Sequence, residues 1–135
     1  MAEERVLDAQ ALLDGGRWGF AYYVSGYAVE CALKSCLLAR MIHTAWVFED
    51  KWKAQDCLTH DFGALIRLSG LEAQLFSRQM DGVAVGDEFL KHWGTALQWR
   101  VTSRYESKTE PEARDLFTAI TRNSDGVLPW LRRFW

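Results

Sequence analysis

Apolar residues recur along nearly the whole chain at intervals of three and four, the spacing of a helix that buries one face. No run alternates apolar and polar positions between turn signals as a strand would, and proline occurs only at Pro111 and Pro129. Val6, Leu7, Ala9, Ala11, Leu12 and Leu13 predict a first helix, ended by Gly15-Gly16. A long second helix is predicted from Arg17 to His43. Residues 44–60, which hold Trp46, Phe48 and Trp52, read as a loop with one short helical turn. A third helix is predicted from Asp61 to Leu68, with Thr59 or Asp61 as its cap. Gly70 breaks it, Leu71 to Met80 resumes it, and Asp81-Gly82 is a turn signal. Asp87 to Trp99 predicts another helix, and Val101 to Lys108 a loop or frayed end. The last helix opens at Glu110-Pro111-Glu112, where proline suits the first helical position and the acids suit the positive end of the dipole. It runs towards Trp135 with a kink predicted near Pro129. No internal repeat, linker or low-complexity tract divides residues 1–135, so one all-α domain is expected.

The second helix is the least polar. On a helical wheel Ala21, Ser25, Ala28, Ala32, Ser35 and Ala39 form one stripe, and small residues in a row admit another helix closely. Tyr23, Tyr27, Glu30, Lys34 and Leu37 form another. Glu30 and Lys34 are the only charges between Trp18 and Ala39, four residues apart with the acid first, the favourable order for pairing along a helix. On an exposed edge such a pair contributes roughly 0.3–0.5 kcal/mol. In a groove or interface a charge is costly unless paired, so its presence there points to a partner, a ligand or a chemical role.

Composition narrows the picture. With 135 residues, 49% hydrophobic and 25% charged, the chain has the profile of one folded domain rather than a disordered segment. A formal charge of −2 argues against a general nucleic-acid coat, while leaving room for a local basic patch. Seven tryptophans in so short a chain are expected in a core or an interface. Cys31, Cys36 and Cys57 show no CxxC spacing and are read as reduced, buried thiols of a cytoplasmic protein, with no metal knuckle. The start, MAEERVLDAQ, is acidic and lacks the apolar run of a signal peptide. The central acid and base, the aromatic residues and the many small residues argue against residues 18–39 as a membrane span. Asp81, Asp87 and Glu88 resemble no metal loop and read as a solvated turn; His92 with Glu88 is not an HExxH arrangement. Arg132-Arg133 reads as solvated, and Trp130, Phe134 and Trp135 as packing on the first helix, with a dimer contact as the alternative.

The stretch GRWGFAYYVSGYAVECALKSCLL resembles the "gr..aAyylaGyavEcaLKa" signature of a bacterial branch of the HEPN (higher eukaryotes and prokaryotes nucleotide-binding) domains. Thr59-His60-Asp61-Phe62-Gly63-Ala64-Leu65 resembles the "tHdl..L" segment that follows it, and Trp99 to Tyr105 the "W.p..RY" segment before the final helix. The three occur in the family's order and span nearly the whole chain. The resemblance implies a four- to five-helix up-and-down bundle, a homodimer, and association with nucleotide or RNA in toxin–antitoxin or defence systems. Some members partner a minimal nucleotidyltransferase. Catalytic members share an Arg-x4–6-His motif on a late helix. None of His43, His60 and His92 follows an arginine at that spacing, and Arg122-Asn123 is followed by Val127, Leu128 and Pro129 where the histidine would stand. The resemblance therefore implies a non-catalytic binding or regulatory protein.

The polar positions that match the family pattern are Tyr27, Glu30, Lys34, His60, Arg104 and Tyr105. Brought together they would offer an acid, a base, an imidazole, an anion-binding guanidinium and aromatic rings for base stacking. An architectural outcome is the alternative: Glu30 or Asp61 pairing with Arg104, and His60 capping a helix. Two further readings stay open: an RNase using Arg104 with His60 or Glu30, and a plain homo-oligomerisation module. No cofactor, metal or membrane partner is expected.

Overall fold

The computed structural model describes residues 1–44 and 55–135. Among these residues the chain is all-helical, with α1 (Ala2–Asp14), α2 (Trp18–His43), α3 (Phe62–Leu68), α4 (Glu72–Val85), α5 (Phe89–Leu97), a 3-10 helix (Val101–Tyr105), α6 (Glu110–Thr121) and α7 (Val127–Leu131). No helix among them is long and apolar enough to cross a membrane. Residues 45–54, with Trp46, Phe48 and Trp52 of the expected loop, lie outside the described residues.

Helix α2 is the axis of the fold, and α1, α3, α6, α7 and the 3-10 helix all contact it. This follows from its composition. Ala21, Ala28, Ala32, Val29 and Leu33 are fully buried, so helices can approach from several sides with little side chain between them. The core cluster continues through Leu65 of α3, Phe89 and Trp93 of α5, Leu116 and Ile120 of α6, and Val127, Leu128 and Leu131 of α7. α4 contacts α5 but buries only Gly82 of its own residues.

Among the described residues seven α-helices replace the expected four to five. The predicted last helix divides because Arg122 turns extended (ψ 127°), and the chain after it is drawn towards α5. There the Glu88 N–H donates to Asp125 Oδ2 (3.0 Å), and His92 Nδ1 donates to the Asp125 carbonyl (3.0 Å). No kink falls at Pro129, which lies in the first turn of α7, where its missing N–H has no helical acceptor to lose. Asp81-Gly82 is no turn either. A Cβ at Gly82 would run into Asp87, so that glycine serves close approach, and α4 continues to Gly86, whose φ of 75° ends it. The stretch from Val101 condenses into a 3-10 turn, with the Arg100 N–H donating to Ser103 Oγ (3.2 Å). Trp130, placed on the first helix by the sequence reading, packs instead on the aromatic rings of α5. Trp130 meets Phe89, Trp93 and Phe134 edge to face at 5.4, 6.3 and 5.3 Å. Arg132 Nε makes a polar link to Glu3 of α1 (3.0 Å).

Cys31 and Cys36 are buried free thiols, and Cys57 is half-buried. Burial pushes the Cys36 thiol up to about 12 and raises Cys31 and Cys57 as well. Because the thiolate is the reactive form, native protein at pH 8 is expected to leave Cys36 unlabelled by iodoacetamide, with Cys57 reacting first. Mass mapping of the alkylated peptides measures this. Labelling of Cys36 as fast as in urea would contradict the packing of α7 on α2.

Candidate functional site

One face of α2 gathers most of the polar residues singled out in the sequence. Glu30 is only 2% exposed, yet Lys34 Nζ donates to its Oε1 at 2.8 Å, and His60 Nδ1 stands 2.7 Å from the same oxygen. A carboxylate only accepts, so Nδ1 carries the proton and His60 is oriented with Nε2 away from Glu30. Glu30 Oε2 is buried and accepts no hydrogen bond among the described residues. Both donors therefore serve a single oxygen. Their side chains remain open, 36% exposed for Lys34 and 48% for His60. The result is a buried anion beneath two half-exposed nitrogen groups.

Local structure fixes His60. Asp61 caps α3, its Oδ1 accepting the Ala64 N–H at 2.7 Å, and Thr59 Oγ1 accepts the Asp61 N–H at 3.1 Å. The cap is thus Asp61, and His60 is released to reach α2. Ser69 Oγ donates to the Leu33 carbonyl (3.3 Å), and Arg40 Nη1 to the Leu68 carbonyl (2.6 Å), so the C-terminal end of α3 is tied to α2 at two points.

One turn before Glu30, Gly26 provides a seat for Trp99. A Cβ at Gly26 would fall within the indole ring. Trp99 is 2% exposed, stacks on Phe62 (5.2 Å) and Tyr23 (5.9 Å), and donates its Nε1 hydrogen to the Tyr23 carbonyl at 3.1 Å. Tyr27 is half-buried and stacks on Tyr23 at 6.2 Å; the thiol of Cys31 beside it raises the Tyr27 phenol above its usual range. Parts of all three stretches that carry the family resemblance thus meet on α2.

Arg104 and Tyr105 do not join them. Both are exposed, and the Arg104 guanidinium lies 4.8 Å from the Tyr105 ring centroid. Among the described residues no hydrogen bond or ion pair links Arg104 to Glu30, Asp61 or His60, so the expected architectural pairing is not formed. No group of three His, Cys, Asp or Glu among the described residues could hold a metal ion.

A second polar cluster, read in the sequence as a solvated turn, lies between α5 and α6. Asp87 pairs with Arg78 at 2.7 Å and accepts the Phe89 N–H at 3.0 Å. Arg78 is the main cause that holds the Asp87 carboxyl below its usual range. Glu88 receives Lys91 Nζ at 3.3 Å and Arg122 Nη1 at 2.8 Å, and these two, Lys91 first, hold its carboxyl low as well. His92 is buried beside them. Its 33-residue separation from Asp125 left no local spacing by which the sequence could show the contact.

No family model, curated protein or solved structure matches the chain. The structure by itself defines an all-helical protein whose central helix carries a buried carboxylate under a lysine and a histidine.

Proposed function

We propose that the chain is a HEPN-like, homodimeric helical bundle that binds nucleotide or RNA and regulates rather than cleaves, in a toxin–antitoxin or defence setting. A nucleotidyltransferase is the protein partner that the resemblance implies. The observation that carries the reading is the shared Glu30 oxygen. Glu30 holds Lys34 and His60 by their inner hydrogens, leaving the other Nζ hydrogens of Lys34 to meet a phosphate. Tyr27, one turn earlier and half-buried, offers a ring on which a base can stack. The homodimer is supported by α4, where Phe76, Met80 and Val83 are exposed at helical spacing. An RNase built on Arg104 draws less support, since Arg104 rests on Tyr105.

The test is labelled single-stranded RNA titrated with the full chain, read by anisotropy for binding and by gel for cleavage. Intact RNA is expected in the complex. Lys34→Ala should reduce the dependence of log K on log[salt] by about 0.7, the value of one phosphate contact on a single strand. Cleavage that disappears in Arg104→Ala and His60→Ala would make the protein an RNase instead. Neither binding nor cleavage by folded protein would leave the oligomerisation module.

A further inference from the structure

The Glu88 carboxylate, 45% exposed, is surrounded by nitrogen groups from two helices. Lys91 Nζ reaches Oε1 at 3.3 Å, Arg122 Nη1 reaches Oε2 at 2.8 Å, and His92 Nε2 faces Oε2 at 3.7 Å. Behind two of them lies Asp125, with a side chain only 3% exposed. Its Oδ1 is 3.4 Å from His92 Nδ1 and 3.3 Å from Arg122 Nε, and forms no hydrogen bond of full geometry. The Lys91 and Arg122 nitrogens meet at one point, and Glu88 occupies it.

That point opens on a groove of about 470 Å3 between α5 and α6, whose walls include Tyr22, Thr95, Gln98 and Thr118. Lys108, paired with Glu106 at 3.0 Å, lines it too, as do Asp115 and Glu112, two and nearly three helical turns from Arg122, about 10 and 15 Å along α6. The cationic end of the groove is therefore local. If Glu88 rotates outward, Lys91 and Arg122 lose the carboxylate they share, and an ammonium beside a guanidinium suits a phosphate oxyanion in its place.

We propose that this is a phosphate-binding site in which the Glu88 carboxylate stands in for the ligand oxyanion and is displaced by it. The ligand is a small phosphate monoester whose polar remainder lies along Thr95, Gln98 and Thr118. Glu88 then acts as a built-in competitor that sets a threshold for occupancy. None of these residues belongs to the Glu30 site, so this inference does not depend on the function proposed above.

The experiment titrates the full chain with inorganic phosphate at constant ionic strength, following the histidine ring signals by NMR. His92 should shift saturably. Glu88→Gln keeps the side chain's shape but removes its charge, and should tighten binding about tenfold. Arg122→Gln should weaken it at least tenfold, while Arg122→Lys, which retains a point charge, falls between. Both residues are half-exposed, and circular dichroism checks that the variants fold. Phosphate binding that Glu88→Gln does not strengthen, or a His92 shift that persists in Arg122→Gln, overturns the proposal. Shifts confined to His60 also overturn it, while supporting an anion site at Glu30.

Discussion

Replacing Lys34 and His60 together by alanine is expected to cost about 3–5 kcal/mol, the penalty of a buried charge left without a partner. Each single substitution should cost far less, on the order of 1–2 kcal/mol, because the other donor still serves Glu30 Oε1. The two effects are therefore non-additive, with the double variant worse than the sum, as expected for groups that share one partner. Introducing Glu30→Gln into the double variant should recover part of the loss, since a neutral amide at this buried site is much less costly than an unpaired carboxylate. Urea unfolding of the parent, both singles, the double and the triple variant measures the cycle. Strict additivity would mean that the two donors do not share Glu30, and the site would then be two unrelated surface contacts.

Gly26→Ala is the second large effect, and its sign distinguishes two levels of description. Helix propensity alone favours alanine over glycine by about 1 kcal/mol in a helix interior. Gly26 lies in the middle of α2, so local reasoning predicts a more stable protein. The fold reverses this. The added methyl would occupy the place of the Trp99 ring, which is held by Phe62, Tyr23 and the Tyr23 carbonyl and has nowhere to retreat. Overpacking of this kind costs about 1–3 kcal/mol or more. Set against the propensity gain, a net loss of about 2 kcal/mol corresponds to a fall in Tm of roughly 7 °C for a chain of this size. Thermal melts together with the near-ultraviolet signal of the tryptophans report it. A rise in Tm would show that Trp99 does not rest on Gly26.

Much of the helical layout was legible because it depends on short-range rules. The interval of α2 follows from an unbroken apolar run after Gly15-Gly16, and the start of α6 from Thr109, Pro111 and Glu112. There Thr109 Oγ1 accepts the Glu112 N–H at 3.4 Å, and Glu112 Oε2 accepts the Thr109 N–H at 2.7 Å. The Glu30–Lys34 pair was legible for the same reason, being four residues apart on one helix. Its burial was not. An i,i+4 pair reads the same on an exposed edge as in a core, and only the arrival of α3 and Trp99 on that side of α2 decides between them.

The residues misread were those whose role lies in a distant contact. Gly82 looked like a turn because glycine breaks helices locally, whereas it admits Asp87. Asp87 and Glu88 looked like a solvated turn because their partners Arg78, Arg122 and Asp125 stand between 9 and 37 residues away. Trp130 was assigned to the wrong neighbour, since an aromatic residue shows that it will be buried and not against what.

By itself the sequence determined the all-helical class, most helix intervals and the position of one acid–base pair, since periodicity, caps and i,i+4 spacing act within a few residues of the chain. Tertiary structure alone decided that Glu30 is buried under Lys34 and His60, that Arg104 stays apart, and that Lys91, His92 and Arg122 converge on Glu88. Hydrogen bonds and charge pairs between helices depend on how the helices pack, and packing is a property of all the apolar faces together.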